Sequence, residues 1–322
     1  MKKVWFIGFS LLLLIGVSCR GGKKPTEKEE LFDLKIDEMV VRDPFIFVDS
    51  NNRCYYMQVN GGNQTIQCYK SKDLLNWKHE SDAFVPNSLF WGKRDFWAPD
   101  MFEYKGRYYI LATFSNVGTK RGTSFLVSDK PEGPYKPLIN KPITPPEWTC
   151  LDATLYIDEN DTPWLLYSRE WIEVMDGQVL IQQLSDDLTK TVGEPRLLFK
   201  ASEAPWTAPI RGKNSEGQSV EGYVTDAPVL YKASNGELLI IWSSFSKESK
   251  YAIGVARSDD GTIAGNWTVD SIPLNADDGG HAMIFEDLDN QLRISYHAPN
   301  NHPSRPQIRK LEDKDGKLRI VE

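Results

Sequence analysis

The sequence predicts an all-β chain folded as a five-bladed β-propeller, and three observations carry that expectation. Five strand-turn-strand segments align with one another along the chain. A further strand ending at a serine follows four of them, and no stretch holds a long helical period. Self-similarity at roughly 50 residues marks propellers and arrays.

Taken in chain order, the first element stands apart from the repeat. "MKKVWFIGFSLLLLIGVSC" begins with two lysines, runs apolar over residues 4–17 and ends on small residues at Cys19. The apolar run is short for a bilayer and a polar tract follows at once, so residues 1–19 are expected to be a signal peptide. Gly16, Val17, Ser18 and Cys19 resemble a loose bacterial lipobox, which implies a lipid anchor at Cys19 and a place in the bacterial cell envelope, on the periplasmic or cell-surface side. "RGGKKPTEKEE" is charged and contains Gly and Pro, as suits a flexible tether over residues 20–30. One catalytic propeller domain is expected over 31–322.

The five modules follow. They read "DPFIFVDSNNRCYYM" from Asp43, "DMFEYKGRYYILATFS" from Asp100, "DATLYIDENDTPWLLYS" from Asp152, "DAPVLYKASNGELLIIWSS" from Asp226 and "HAMIFEDLDNQLRISYH" from His281. Each has a polar head, a short apolar strand, a turn rich in Asn, Asp or Gly, and a second apolar strand. Their starts lie 57, 52, 74 and 55 residues apart, which places an insertion in the third module. Ser71, Ser128, Ser185 and Ser258 close the third strands, each followed by Asp or Lys-Asp and a turn. About 58 residues per module suits a four-stranded blade with generous loops.

In a propeller the innermost strands line the central axis, so residues heading equivalent strands converge at one end of it. Asp43, Asp100, Asp152, Asp226 and His281 are expected to form such a ring. An acid before a strand often only caps a turn. Four in one column crowd like charges, which costs stability unless they perform chemistry or bind a cation.

Composition narrows the partners. The formal charge of −7, with Lys and Arg scattered, lacks the basic stripe of a nucleic-acid binder. No zinc spacing occurs. Cys54 and Cys68 are placed to face each other across a hairpin or to remain buried thiols. Ten tryptophans are many for this length. Trp91, Trp97, Trp148, Trp171 and Trp206 fall in expected loops, where rings can stack on the apolar faces of sugars.

"RDPFIF", "FWAPDMF", "CLDATLY", "TDAPVLY" and "DGGHAMIF" together resemble glycoside hydrolase family 43, five-bladed propellers that cleave arabinose- and xylose-containing polysaccharides. The likeness covers most of residues 40–300. It implies an inverting hydrolase, with Asp43 as general base and Asp152 orienting the acid and tuning its pKa. The family's acid is usually the Glu of a T-E-G-P motif, where this chain has Thr225-Asp226-Ala227-Pro228. An inverting site needs carboxyls roughly 6.5–9.5 Å apart, and Asp is one methylene shorter than Glu. Asp226, Glu221 and Glu203 are therefore all candidates for the acid.

Among the loop tryptophans, Trp97, Trp148 and Trp206 are expected to touch the substrate and Asp100 to hold its hydroxyls or fix the Trp97 loop, while the resemblance implies Arg305 as a hydroxyl-binding residue. It also implies a structural calcium ion near His281, held by one imidazole and water, with no cofactor needed for the chemistry. The expected substrate is an oligo- or polysaccharide, attacked by an exo-acting α-L-arabinofuranosidase or β-xylosidase. An endo-1,4-β-xylanase and a propeller that binds glycans without cleaving them are the alternatives.

Overall fold

The structure, a computed structural model, describes residues 30–62, 64–214 and 216–321. The expected signal peptide, the Cys19 lipid anchor and all but the last residue of the tether lie outside the described residues. Among the described residues no helix is long and apolar enough to cross a membrane.

Five antiparallel sheets form the five blades of a propeller. Blade 1 runs outward through Phe45–Asp49, Cys54–Asn60, Ile66–Ser71 and Asn76–Phe84, with Leu34–Lys35 added at its outer edge. Blade 2 is Arg94–Tyr104, Arg107–Asn116, Thr119–Ser128 and Lys136–Pro137. Blade 3 is Cys150–Ile157, Pro163–Arg169, Gln178–Leu184 and Thr191–Lys200. Blade 4 is Asp226–Lys232, Leu238–Phe245, Tyr251–Ser258 and Trp267–Val269, and blade 5 is Gly280–Glu286, Leu292–Ala298, Arg305–Lys314 and Lys317–Val321.

The residues dictate this layering. Second strands such as "LLIIWSSF" in blade 4 are buried at nearly every position, because both faces of the sheet pack against neighbouring blades. The hairpin turns after the inner strands are held by aspartates. Asp49 accepts from the Asn52 amide (2.9 Å), Asp158 from Asn160 (2.8 Å) and Asp287 from Asp289 (2.9 Å). The recurrent serines have the same kind of duty, since Ser71, Ser185 and Ser258 donate to Asp73, Asp187 and Asp260, each two residues on. This part of the repeat is turn chemistry.

The insertion in the third module is a short hairpin, Ile210–Lys213 paired with Ser219–Gly222, preceded by a helical turn at Ala201–Glu203. The cysteines Cys54, Cys68 and Cys150 are buried free thiols. Cys54 and Cys68 do sit on paired strands, but Cys68 faces Gln58, so a bridge to Cys54 has no register.

Candidate active site

Two residues before regular pairing sets in, each blade's inner segment places one residue in the left-handed region, and in blades 2 to 5 that residue falls in a β-bulge. These residues are Asp43 (φ 53°), Ala98 (46°), Asp152 (52°), Ala227 (47°) and His281 (56°). Regular pairing resumes two residues later in every blade, at Phe45, Asp100, Thr154, Val229 and Met283. Five such conformations at one position are costly for residues with a Cβ. The bulge re-aims the strand's first side chains toward the axis.

This register corrects the expected ring at two blades. Asp43, Asp152 and His281 are equivalent, whereas Asp226 stands one residue before the bulge and Asp100 two residues after it. The signal that aligns them is the next residue, which is Pro44, Pro99, Ala153, Pro228 or Ala282. Pro recurs there because it fixes its own φ and has no amide to leave unpaired.

A cavity of about 760 Å³ opens over the bulges. Asp43, Asp152, Asp226 and His281 line it, together with Glu170. His281 Nδ1 lies 3.2 Å from Asp43 Oδ1 and 3.8 Å from Asp152 Oδ2, so one imidazole touches both carboxylates. His297 Nδ1 is 3.2 Å from Asp43 Oδ1 on the other side. The Ala227 amide donates to Asp152 Oδ2 (3.2 Å), which ties Asp152 to the peptide following Asp226. The Tyr251 hydroxyl donates to Asp226 Oδ2 (3.0 Å). Tyr251 can stand there because residue 280 is glycine, where an added Cβ would meet the ring at 2.3 Å.

The environment splits the carboxylates. Burial pushes the Asp43 pKa up, but His281, a hydrogen bond and charge from His297, and Arg42 together hold it well below the usual range. Burial raises Asp152 far above it, helped by the negative charges of Asp226 and Asp43. Burial also raises Asp226, to about 6, against the pull of the Tyr251 hydrogen bond. Burial lowers His281 to about 4 although Asp43 favours its charged form. One carboxylate is thus kept ionised beside two that keep a proton to higher pH than an ordinary carboxyl does.

Glu203 and Glu221 stand outside the cavity. Glu203 accepts from the Lys200 amide and fixes the helical turn (2.9 Å), while Glu221 pairs with Arg211 on the exposed hairpin (2.7 Å). Asp226 is the acid candidate that the fold brings to the site. Asp100 sits deeper, 8% exposed, facing a small void beneath the cavity and bonded to Thr154.

The tryptophans divide. Trp97 lines the cavity, 39% exposed, with the Arg121 guanidinium 4.4 Å from its ring centroid. Trp171 lines it too, packed against Gly212 of the inserted hairpin, where an added Cβ would lie 2.7 Å from the indole. Trp148 does not line it and stacks under Arg169 at 4.2 Å. Trp206 is buried, its ring 5.3 Å from Trp242 in the core of blades 3 and 4, because the loop carrying it folds inward. Arg305 is also away from the cavity, donating to the carbonyls of Glu38 (2.6 Å) and Met39 (3.0 Å).

Sequence reasoning missed Glu170 and Tyr251. Glu170 directly follows the second strand of blade 3, bonded by Arg121 through both of its oxygens. Burial and the neighbouring Asp226 lift its pKa to about 7 against the Arg121 charge. A polar run at the strand end, "SREW", is the only trace of it in the sequence.

The donor set around His281 is thin for a calcium ion, which takes six to eight oxygens. Among the described residues no three His, Cys, Asp or Glu side chains converge as metal ligands. A cation there would rest on water and one imidazole.

Comparisons with known proteins bear on this geometry. The model of glycosyl hydrolases family 43 matches residues 36–313. A solved structure described as an endo-arabinase from Bacteroides thetaiotaomicron is 52% identical, covers 89% of this chain and 100% of its own, and superposes with a TM-score of 0.86. An extracellular exo-α-(1→5)-L-arabinofuranosidase of Cellvibrio japonicus is 25% identical over 47% of this chain and 45% of its own. An extracellular endo-α-(1→5)-L-arabinanase of Bacillus subtilis is 24% identical over 33% of this chain and 36% of its own. The aligned part spans less than half the length of these two curated relatives.

Proposed function

The chain belongs to glycosyl hydrolases family 43, and from that premise we propose that this glycoside hydrolase is an endo-acting arabinanase cleaving α-L-arabinofuranosyl linkages with inversion. The observation that carries the substrate is the 52% identity, over the whole of its length, with a structure described as an endo-arabinase. Exo-action, expected from the sequence, has only partial matches behind it.

In the proposed reaction Asp43, ionised, takes a proton from water as the water oxygen attacks the anomeric carbon. Asp226, protonated, gives its proton to the departing glycosidic oxygen as the carbon–oxygen bond breaks. Asp152 holds the Ala227 amide next to Asp226, and because the charge of Asp226 raises the pKa of Asp152 the two buried carboxyls resist ionising together, which favours a proton within the pair. Trp97 and Trp171 offer ring faces to the sugars on either side of the scissile bond.

Hydrolysis of linear α-1,5-arabinan is the test. A spread of oligosaccharides early in the reaction is expected, with the rate falling about 10²–10⁴-fold in Asp43→Asn. Release of arabinose alone would make the enzyme exo-acting, and hydrolysis of xylan in its place would make it a xylanase. Binding of arabinan without any hydrolysis would favour the non-catalytic alternative. For location, we propose attachment to the envelope through a lipid on Cys19. Cys19→Ser should move the protein from the membrane fraction to the soluble one, and an unchanged distribution would refute the anchor.

A further inference from the structure

A second cavity, of about 580 Å³, lies between blades 3 and 4. The inner strands start at the catalytic end, and this cavity gathers residues from their finishing end, including Tyr156, Asp158 and Lys232. It therefore opens on the opposite face of the propeller.

Its floor is a row of side chains running straight across blade 3. Tyr156 pairs with Trp164, Trp164 with Gln183, and Gln183 with Val192. Strands stand about 4.8 Å apart, so the row is roughly 14 Å long. Residues in direct register share one face of a sheet, which makes this a strip of two rings, an amide and an apolar end.

The walls are fixed before any ligand arrives. Asp158 accepts from the Asn160 and Thr162 amides and from Trp164 Nε1 (2.9 Å), which locks the indole. Lys232 donates to the Gly261 carbonyl (2.9 Å) and Arg196 to that of Gly265, so both cations are engaged. Gln183 and Glu194 have no side-chain hydrogen-bond partner among the described residues. The cavity offers aromatic faces, a free amide and a free carboxylate, with no free cation to draw an anion.

We propose that this strip is a second glycan-binding site that holds a neutral, extended pentose chain while the catalytic cavity cuts elsewhere along the same polysaccharide. Rings stack on the apolar faces of sugars, and the amide and carboxylate accept or donate to hydroxyls. An anionic chain would meet Glu159 and Glu194. Holding the polymer at two points raises its effective concentration at the catalytic cavity without altering that cavity. The identity of the chain as arabinan rests on the function proposed above.

The experiment uses Asp43→Asn to stop hydrolysis and measures binding of arabinan oligosaccharides by calorimetry. Two sites per chain are expected, falling to one when Trp164→Ala is added. In the active protein, Trp164→Ala should lower the rate on long linear arabinan several-fold and leave the rate on a short aryl glycoside of an α-1,5-arabino-oligosaccharide unchanged. Gln183→Ala, which removes no packed ring, is the second variant and should act in the same direction. One site in both proteins, or equal losses on polymer and aryl glycoside, would overturn the proposal. Hydrolysis of arabinan with a single site would sink this proposal alone. Two sites for xylan, with no arabinan hydrolysis, would sink the substrate assignment and keep the strip. Occupation by a lysine-rich peptide but by no glycan would replace the ligand class.

Discussion

Tyr251 donates to Asp226 Oδ2 from a fully enclosed position, and that hydrogen bond favours the ionised carboxylate. It works against the burial that raises the Asp226 pKa to about 6. A general acid works protonated, so kcat/KM should be high below about 6 and fall as pH rises through it. The acid limb belongs to Asp43 and should lie below the ordinary carboxylate value of about 4. In Tyr251→Phe the ionised form of Asp226 loses its donor, its pKa rises, and the alkaline limb should move to higher pH. An unmoved limb would mean that another group, with Glu170 at about 7 the nearest rival, sets it. Asp226→Asn sharpens the same question. It should cripple natural glycosides, which need a proton as the bond breaks, and spare activated aryl glycosides, whose leaving groups depart without one. Equal losses on both would leave Asp226 an orienting role.

At the scale of the strand, the bulge explains what could be read from the sequence and what could not. The period, the five polar heads and the turn serines are local, and each marks an element that forms for local reasons. The register of the heads is not local. Asp43, Asp152 and His281 fall on the left-handed residue, while Asp226 and Asp100 fall beside it, and only pairing with the second strand separates these cases. Aligning the chain on Pro44, Pro99 and Pro228 recovers the register, because proline reports backbone geometry where an acid reports only chemistry. Asp226 still reaches the cavity from its offset position. The loop tryptophans were legible as rings but not as surfaces. Trp206 and Trp97 look alike in sequence, yet the loop carrying Trp206 folds into the core, while Trp97 lies within the first strand of blade 2 with its ring against Arg121 at the cavity. Glu170 follows a second strand and Tyr251 begins a third, outside any column that a search for inner-strand heads inspects.

Closing the ring is a problem for the molecule as a whole. Every blade takes its four inner-to-outer strands from one continuous stretch, so no strand of blade 1 completes blade 5. The seam depends on side chains and a few backbone contacts. The Val41 amide donates to the Ser304 carbonyl (3.1 Å), Ser295 to the Pro44 carbonyl (2.6 Å), and Met283 and Phe285 join the core of blade 1. Arg305 belongs to this seam, its guanidinium binding two successive carbonyls of the segment that leads into Asp43. Hydrogen bonds from a charged group are worth about 1.5–3 kcal/mol, and the partial exposure of Arg305 puts its contribution at the low end. Arg305→Ala should therefore lower Tm by a few degrees while leaving KM for an aryl arabinoside within about twofold, since the side chain lies outside the cavity. A Tm equal to the wild type's, together with a KM raised tenfold, would return Arg305 to the substrate. The two readings predict opposite pairs of results, so one melting curve and one saturation curve decide between them.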